Sequence, residues 1–355
     1  MNTVKKLRKA ACFTDIHFGK KSNSDQHNQD CLNFVTWFCE QVRADKTIDH
    51  IVFLGDWHEN RSSLNISTLK YSHVAGKMLN DLGLPVFFII GNHDLYHRHS
   101  REIHSLVHFS EFENFVLIDE PVVRTDIGNG VLFSPFLFHQ EYPRLAEFLK
   151  IPVWMGHFEF RGFVVSGYNI TMPTGPDPND FKGPKHIVSG HFHKRQAFEN
   201  VVYIGNTFPM DFSDASDNER GMMVYDHNED IMEFINWADC PKYTRTHLSS
   251  ILDNKVVIYP QSRVKCIADV NINYEESNIL RQDFVDKYQL REFVMEESIE
   301  IKNALSGTTT QVDVDSAELA NIDDVMIQML QEIDSDHIDN EMLINIYTNL
   351  KVVSA

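Results

Sequence analysis

Residues 86–94 of this chain read VFFIIGNHD, a short apolar run that ends in Gly-Asn-His-Asp. Related arrangements stand at 10–17 (AACFTDIH) and 51–56 (IVFLGD), and apolar residues also precede the Gly-His pair at 156–157 and the Gly-His-Phe-His motif at 190–193. Short apolar runs of this kind are typical of buried strands. Asp, Asn or His therefore follows each of five predicted strands, and these residue types bind metals.

Amphipathic stretches separate the predicted strands. Residues 29–43 and 67–82 carry apolar residues at helical spacing, so helices alternate with strands over the first 240 residues. This alternation predicts a layered α/β core, in which ligand-binding groups lie beyond the C-terminal ends of the strands. Closely spaced apolar runs at 201–204, 222–225 and 231–235 predict a hairpin that closes the sheet.

A different pattern begins near residue 240. Strands are predicted at 256–259, 264–270 and 292–295, with a helix at 276–287, which together make a small α+β unit. A polar stretch after residue 303 predicts a linker. Beyond it, an amphipathic helix is predicted from an apolar stripe at helical spacing, and a second helix follows. The stripe consists of Ile322, Val325, Met326, Met329, Leu330 and Ile333.

Composition narrows the class of protein. The five cysteines form no CxxC pair, which argues against a zinc ribbon or a disulfide framework. No apolar run approaches the roughly 20 residues of a membrane span, and the basic N-terminus lacks the apolar segment of a signal peptide, so a cytoplasmic protein is expected. The net charge of −19 argues against nucleic-acid binding, but acidic residues are concentrated after Glu292. Basic residues flank the motifs, and four are predicted DNA contacts: Lys20, Lys21, Lys194 and Arg195.

The motif residues suit a centre of two divalent metals. One carboxylate, Asp56, can bridge two cations through its two oxygens, and Asn92 offers a neutral oxygen. Asp15 and His17 share one side of an extended segment, and His157 adds a ring nitrogen. Mixed nitrogen and oxygen ligands favour Mn²⁺, Fe²⁺ or Zn²⁺ over Mg²⁺ or Ca²⁺. Each motif alone is more often a turn or a cap, and the set in order carries the prediction.

Two metals about 3.5–4 Å apart can drive phosphoester hydrolysis, with a hydroxide between them as the nucleophile. His191 and His193 share a face at i and i+2 and complete the nitrogen ligands. His93 stands beside a predicted ligand and is free to face the substrate. We predict that it protonates the leaving oxygen and that Asp94 fixes its tautomer.

In the order of these motifs the chain resembles the calcineurin-like metallophosphoesterases. Within them it is similar to the SbcD family of nuclease subunits, especially the recombination endonuclease subunits of T-even-like phages, which would act in the host cytoplasm. The resemblance implies an α/β fold, a two-sheet sandwich with a small α+β capping domain and a C-terminal helical pair. It implies a nuclease domain at 1–240, a capping domain at 245–300, a linker at 303–319 and the helical pair at 320–355.

The resemblance also implies a division of the metal ligands and a catalytic role for His93. Metal one would be held by Asp15, His17, Asp56 and His193, and metal two by Asp56, Asn92, His157 and His191. The expected cofactor is Mn²⁺. The sequence departs from the family pattern at Trp57-His58-Glu59, where Glu59 holds a position that is usually His or Asp, and His58 holds the usual Phe position.

Partners follow from the same resemblance. The helical pair would bind the coiled-coil base of an SbcC-type ABC ATPase, and double-stranded DNA ends would be the substrate. A homodimer within a heterotetramer would form through core helices near 64–82 and 103–112. The alternative for the helical pair is packing on the chain's own core.

The leading hypothesis is therefore a Mn²⁺-dependent DNA exonuclease and endonuclease subunit of a DNA end-processing and recombination complex. Two alternatives stay open: a phosphoesterase acting on a phosphoprotein or small phosphodiester, and a degenerate core that only binds DNA ends. Protein phosphatases of this superfamily carry Arg before Gly-Asn-His and Glu after it, whereas Ile90 and Asp94 stand there in this chain. The complete ligand set argues against a degenerate core.

Overall fold

Two six-stranded sheets build the core of the computed structural model, which describes residues 6–165 and 170–297. The first sheet has, in spatial order, the strands β14 (Ile231–Asn236), β13 (Gly221–Asp226), β1 (Lys9–Phe13), β2 (His50–Phe53), β3 (Val86–Ile89) and β6 (Phe115–Ile118). The second has β11 (Gln196–Phe198), β12 (Val201–Tyr203), β10 (His186–Ser189), β9 (Val153–Gly156), β8 (Val131–Ser134) and β7 (Val122–Arg124).

Parallel pairing dominates the centre of both sheets. Strands β1, β2, β3 and β6 pair in parallel, and β13 and β14 close one edge as an antiparallel hairpin. Strands β8, β9, β10 and β12 are also parallel, with antiparallel β7 and β11 at the edges. The C-terminal ends of the central strands of each sheet therefore lie at one edge of that sheet.

The helices and remaining strands complete the described chain. The helices are α1 (Lys20–Asn23), α2 (Asp25–Ala44), α3 (Ile66–Asn80), α4 (Leu248–Leu252) and α5 (Tyr274–Tyr288). Short 3₁₀ helices span Val107–Glu111, His139–Phe148, Pro178–Phe181 and Phe212–Asp214. A hairpin pairs β4 (Leu95–His97) with β5 (Ser100–His104), and a three-stranded sheet holds β15 (Tyr243–His247), β16 (Arg263–Ala268) and β17 (Glu292–Glu297). None of the helices in this part of the chain is long and apolar enough to cross a bilayer.

Burial on both faces explains why the central strands are continuous apolar runs. Along β1, Ala11 and Phe13 pack with the aromatic residues of α2, whereas Ala10 and Cys12 face the second sheet. The first sheet is thus covered by helices on one face and by the second sheet on the other. Such strands have no solvent face, so they lack the polar alternation of half-exposed strands. The α/β two-sheet sandwich expected from the sequence is confirmed.

Most of the predicted core elements occur with small shifts of their ends, and two predictions are wrong. Val201–Tyr203 was expected in the closing hairpin, but it pairs in parallel with β10 in the second sheet. Residues 256–259 form no strand, since Val256 and Ile258 only pack against the small core near β16. The first strand of that sheet is β15, which the sequence analysis did not predict because its Thr-Arg-Thr centre is polar. The predicted linker at 303–319 and helical pair at 320–355 lie outside the described residues.

Two buried histidines stack behind the sheets. The rings of His50 and His227 have centroids 5.5 Å apart and an interplanar angle of 20°. Both Nε2 atoms are buried without a hydrogen-bond partner among the described residues, while Nδ1 of His50 contacts Asp49 at 2.8 Å. Burial lowers the pKa of His227 to about 3, with a further contribution from His50, and burial also lowers the pKa of His50.

We predict that this pair makes the fold sensitive to acid. A histidine whose pKa is lowered in the folded state contributes full stability above its unfolded pKa of about 6.5, and this stability is lost as pH falls toward the folded pKa, by at most about 1.4 kcal/mol per pH unit and per histidine. Urea unfolding between pH 7.5 and 4.5 should show a shallower loss of stability in His227→Gln than in wild type. His139→Gln, whose side chain is 66% exposed, is the control. Equal pH dependence in all three proteins would contradict the prediction.

Candidate metal centre

The five sequence motifs meet where the central strands of the two sheets end. Asp15 follows β1, Asp56 follows β2 and Asn92 follows β3, while His157 follows β9 and His191 follows β10. The loops also bind each other beyond the strands, because the amide of Asp15 donates to the carbonyl of Gly55 at 2.9 Å. The placement of ligand-type residues at strand ends is as the sequence predicted.

The glycines of the motifs are explained by close approach of neighbouring loops. A Cβ on Gly91 would lie 2.2 Å from the amide nitrogen and from Oδ1 of Asp56. A Cβ on Gly55, whose φ is +103°, would lie 2.3 Å from Nδ1 of His157. Any side chain at these positions would displace a candidate ligand. Gly91 and Gly55 therefore have a steric reason, and Gly55 also has a conformational one.

The backbone at the centre is strained. Asp15, His17, Asp56 and His191 have φ values of 50°, 52°, 61° and 90°, in the left-handed region that non-glycine residues seldom adopt. Such conformations cost about 1–3 kcal/mol each and persist where the surroundings fix them. Their concentration among the candidate ligands marks a functional site.

The first group of candidate ligands comprises Asp15, His17 and His193. Nε2 of His17 lies 3.1 Å from Nε2 of His193 and 3.8 Å from Oδ1 of Asp15, and Nε2 of His193 lies 3.9 Å from the same oxygen. This Oδ1 is buried and has no hydrogen-bond partner among the described residues. Two ring nitrogens thus converge with an oxygen that lacks a protein donor, which gives three potential ligand atoms.

The second group comprises Asp56, Asn92, His157 and His191. Nε2 of His157 lies 3.4 Å from Oδ2 of Asp56 and 3.0 Å from Oδ1 of Asn92, and Nδ1 of His191 lies 3.0 Å from the same amide oxygen. Oδ2 of Asp56 is also 3.8 Å from Nε2 of His17 in the first group. Asp56 therefore stands between the two groups, where a bridging carboxylate belongs.

These spacings fit metal coordination. Two ligand atoms that are each about 2.1 Å from one metal lie about 3.0 Å apart at a right angle and about 3.4 Å apart at a tetrahedral angle. The separations run from 3.1 to 3.9 Å in the first group and from 3.0 to 3.4 Å in the second. The partnerless Oδ1 of Asp15 is the buried acceptor that a cation would satisfy. All seven residues predicted as ligands are brought together and can hold two divalent ions.

Charges within the groups are strongly coupled. Burial acts to lower the pKa of the His17 imidazole, but the carboxylates of Asp15 and Glu59 outweigh it and raise the pKa to about 10. Burial acts to raise the pKa of Asp56, but the imidazole of His157 and its neighbours hold it well below the ordinary value. Burial, together with the charge of His17, lowers the pKa of His193 to about 3. The carboxylates are therefore held in the ionised form that binds metals.

Two glutamates that the sequence analysis did not assign to the centre each contact a candidate ligand. Oε2 of Glu59 lies 2.8 Å from Nδ1 of His17, and Oε2 of Glu159 lies 3.1 Å from Nε2 of His191. In each histidine the other ring nitrogen faces its ligand group. A carboxylate in this position fixes the ring orientation and raises the basicity of a metal-binding imidazole. The signal in the sequence was an acidic residue two or three positions after a motif ligand.

His93 is held by the backbone, which corrects one prediction. Its amide donates to Oδ1 of Asp56 at 2.8 Å, and its Nδ1 lies 3.0 Å from the carbonyl oxygen of Glu59. The expectation that Asp94 fixes the tautomer of His93 is wrong. The buried carboxylate of Asp94 instead accepts backbone amides at 3.0–3.1 Å from Gly91, Asp56, Trp57 and His58.

His58 lies behind the centre and outside it. Its ring is buried, Nδ1 contacts Oγ of Ser105 and Nε2 contacts Oγ of Ser72, both at 2.8 Å. Ser72 also accepts the indole N–H of Trp57 at 2.8 Å. Burial lowers the pKa of His58 to about 3, so it is a neutral bridge between α3 and the β5 loop. Glu59, the other departure from the family pattern, is the one that reaches the candidate ligands.

The four predicted DNA contacts occupy different surroundings. Nζ of Lys20 lies 3.7 Å from Glu59 at the edge of the centre, and Lys194 lines a cleft beside His193. Lys21 donates to the hydroxyl of Tyr243, and burial lowers the pKa of Lys21 to about 8. The guanidinium of Arg195 lies 4.2 Å from the ring centroid of Phe234. Lys20 and Lys194 are thus the two nearest the candidate ligands.

The fold and the centre together define a class of protein. Residues 8–195, more than half of the chain, match the family model for calcineurin-like phosphoesterases, and the chain belongs to this family. It is also similar to exonuclease subunit 1 of Enterobacteria phage T4, with 26% identity over 185 residues, which are 51% of this chain and 54% of that protein. The chain thus spans about half the length of the curated relative it matches. The resemblance found in the sequence is confirmed.

Solved structures with similar folds include three from the phosphoesterase field. A novel archaeal phosphodiesterase matches with 12% identity and a TM-score of 0.36 over 64% of this chain and 99% of its own. A dimetal phosphatase from Danio rerio matches with 9% identity and a TM-score of 0.40 over 65% and 96%. Nuclease MPE from Pseudomonas putida matches with 14% identity and a TM-score of 0.30 over 62% and 85%. At these identities the likeness concerns the fold and extends no further.

We predict that Glu59 supports metal affinity through His17. Removing a carboxylate that orients a metal-binding histidine costs about 10- to 100-fold in affinity. Glu59→Ala should therefore weaken Mn²⁺ binding by about tenfold or more in calorimetry, and Glu59→Gln, which keeps an acceptor oxygen, should weaken it less. Glu113→Ala, at an exposed position, is the matched control. Wild-type Mn²⁺ affinity in Glu59→Ala would rule out this role.

Proposed function

We propose that this protein is a metal-dependent DNA phosphodiesterase, the nuclease subunit of a complex that processes DNA ends. The observation that carries the proposal is the convergence of seven candidate ligands in two groups, with Asp56 between the groups and His93 beside them. Two such groups are what in-line displacement at a phosphodiester needs, since each cation can stabilise one of the two reacting oxygens.

The proposed ligand sets follow the two groups. Asp15, His17, Asp56 and His193 would hold one ion, and Asp56, Asn92, His157 and His191 the other. Bound divalent ions, with Mn²⁺ as the proposed metal, would activate water and neutralise phosphate charge. Nitrogen and oxygen ligands in these proportions suit Mn²⁺.

His93 would act on the leaving group. The Glu59 carbonyl lies at hydrogen-bond distance from Nδ1, so that nitrogen is the donor and Nε2 is the atom left to meet the substrate. The hydrogen bond from the backbone amide of His93 to Asp56 keeps the His93 ring beside that of His17, with ring centroids 4.9 Å apart. A protonated Nε2 at this place could donate its proton to the departing oxygen.

DNA is the proposed substrate for two reasons. Ile90 and Asp94 flank the Gly-Asn-His motif in place of the Arg and Glu that mark protein phosphatases, and here Asp94 is committed to backbone amides. The relative in phage T4 is named an exonuclease subunit. Lys20 and Lys194 would contribute phosphate contacts beside the centre, and Lys21 and Arg195 would do so only after leaving their present partners.

Partners are proposed on the same basis. Residues 245–300 would form the capping domain after a nuclease domain at 1–240, and residues 320–355 would bind an SbcC-type ABC ATPase. A homodimer within a heterotetramer is supported by exposed apolar side chains on the core: Ile66 at the start of α3 is 86% exposed, and Ile103 and Val107 are 53% and 64% exposed. The complex would work in the cytoplasm.

The direct test is degradation of end-labelled linear duplex DNA. We expect the purified chain to release nucleotides with Mn²⁺ and to release none with a chelator. The matched inactive variant is Asp56→Asn, which should reduce cleavage by at least about 10³-fold, because the two ions lose the negative charge of their shared bridge. Cleavage of a small phosphodiester without any cleavage of DNA, alone or with the ATPase partner, would contradict the DNA assignment.

His93 should be separable from metal binding. His93→Ala is expected to keep both Mn²⁺ sites in calorimetry, since the ring contributes to neither of the proposed ligand sets, and to lower the cleavage rate by about 10²- to 10⁴-fold, the usual contribution of a positioned acid. His97→Ala, at a half-buried position on β4, is the control. A normal cleavage rate in His93→Ala would refute its catalytic role.

A further inference from the structure

A cleft of about 510 Å³ adjoins the second ligand group. Asn92 and Glu159 form its inner wall, and the hairpin of β4 and β5 and the 3₁₀ helix His139–Phe148 contribute the outer walls. Its volume lies within the roughly 300–1,000 Å³ range of small-molecule sites. The cleft is therefore large enough for one mononucleotide next to the candidate metal centre.

Two arginines line this cleft without anionic partners. Among residues 6–165 and 170–297, neither Arg61 nor Arg98 has a carboxylate within salt-bridge distance or a hydrogen-bond acceptor. Arg61 is half-buried, and burial lowers its pKa. The nearby Asp56 and Asp94 carboxylates oppose this shift, and the charge of Arg98 adds to it. Two guanidinium groups in one cleft repel each other, and an anion bound by both would relieve this repulsion.

Arg101, on the same hairpin as Arg98, differs because its guanidinium is hydrogen-bonded within the fold. Its Nη1 and Nη2 atoms each donate to the carboxylate of Glu141 at 2.6 Å, and its Nε donates to the carbonyl of Asp119 at 2.9 Å. Arg101 is thus committed to structure. The contrast leaves Arg61 and Arg98 as the groups available for a ligand.

Aromatic rings form the apolar wall of the same cleft. Phe136 and Phe138 are half-buried and line it, with ring centroids 6.0 Å apart. The ring of Phe136 lies 5.9 Å from that of His191, and its amide donates to the carbonyl of Ile90 at 2.9 Å. The aromatic surface is therefore fixed in place directly beside a candidate metal ligand, where a base attached to a bound phosphodiester could stack.

We propose that this cleft binds one unstacked nucleotide of the substrate strand next to the scissile phosphodiester, with Arg61 and Arg98 on a phosphate and Phe136 and Phe138 on the base. This assignment rests on the proposed function, which makes DNA the substrate. It adds that the bound strand has an unpaired nucleotide at the centre. The strand at the centre must have an unpaired nucleotide, because a base held in a duplex cannot reach a wall beside the metal ligands. A frayed end or a single strand would meet this need.

The test is binding of two small ligands to the full chain in Mn²⁺, measured by calorimetry. Thymidine 5′-monophosphate and 2-deoxyribose 5-phosphate share the sugar phosphate, and only the first has a base. We expect the nucleotide to bind wild type at least about fivefold more tightly, as base–aromatic stacking implies. Phe136→Leu, which keeps apolar volume without an aromatic face, should abolish this preference.

Arginine variants test the phosphate side. Arg61→Gln should weaken both ligands by about tenfold, the value of a charge-assisted hydrogen bond, and keep the ratio between them. Arg144→Gln, an exposed arginine outside the cleft lining, is the matched control and should change neither. Thermal melting checks that each variant is folded, and Phe138→Leu replaces Phe136→Leu if the latter is not.

Equal affinity of wild type for the two ligands, or an unchanged preference in the folded phenylalanine variant, would overturn the proposal. The titration needs no cleavage, so it is independent of the nuclease assay. A protein that prefers the nucleotide but degrades no DNA would refute the proposed function and support the cleft. A protein that degrades DNA but binds the two ligands equally would support the proposed function and refute the role of the cleft.

Discussion

The centre depends on the hydrogen bonds that the buried carboxylate of Asp94 accepts. This carboxylate accepts four backbone amides, one from Gly91 in its own loop and three from residues 56–58 in the loop after β2. Burial and the nearby Asp56 carboxylate act to raise its pKa, to about 7, against the opposing effect of those amides. This network joins two strand-end loops at the distance that brings Asp56, Asn92 and His93 together. The left-handed backbone of Asp56 is held in place by the same bonds.

Around this anchor, three of the candidate histidine ligands and the neighbouring His93 are each held by a contact on one ring nitrogen. His17 and His191 are oriented by Glu59 and Glu159, His157 by the carbonyl of Leu54 at 2.7 Å, and His93 by the carbonyl of Glu59. Rings that are held on one nitrogen present the other in a defined direction. Glu59 therefore serves both a ligand and the proposed acid, through its carboxylate and its backbone. Ordering of this kind lowers the reorganisation needed when charge develops on the substrate.

Much of the fold was readable from the sequence because burial on both faces leaves continuous apolar runs. The same property caused the errors. An apolar run at 201–203 indicates a buried strand but does not show which sheet the strand joins. The run at 256–259 packs against the small core without pairing as a strand. Strand β15 was missed because its polar centre resembles a loop. At the site, Asp94 was predicted to contact its sequence neighbour His93. Its hydrogen-bond donors instead lie 36 to 38 residues away and in its own loop.

The sequence by itself determined the kinds of ligand, their order and their place after buried strands, because residue type and local apolar pattern are enough for these. It also showed that a glycine directly precedes Asp56, Asn92, His157 and His191. Only the tertiary structure decided which ring nitrogen faces the centre and that two glutamates support it. It also decided that Arg101 is paired, whereas Arg61 has no ion pair within the part of the chain that the structure describes. Each of those depends on a contact, or the lack of one, between segments far apart in the chain. Such contacts are set by how the two sheets and their loops pack, which no local pattern of residues records.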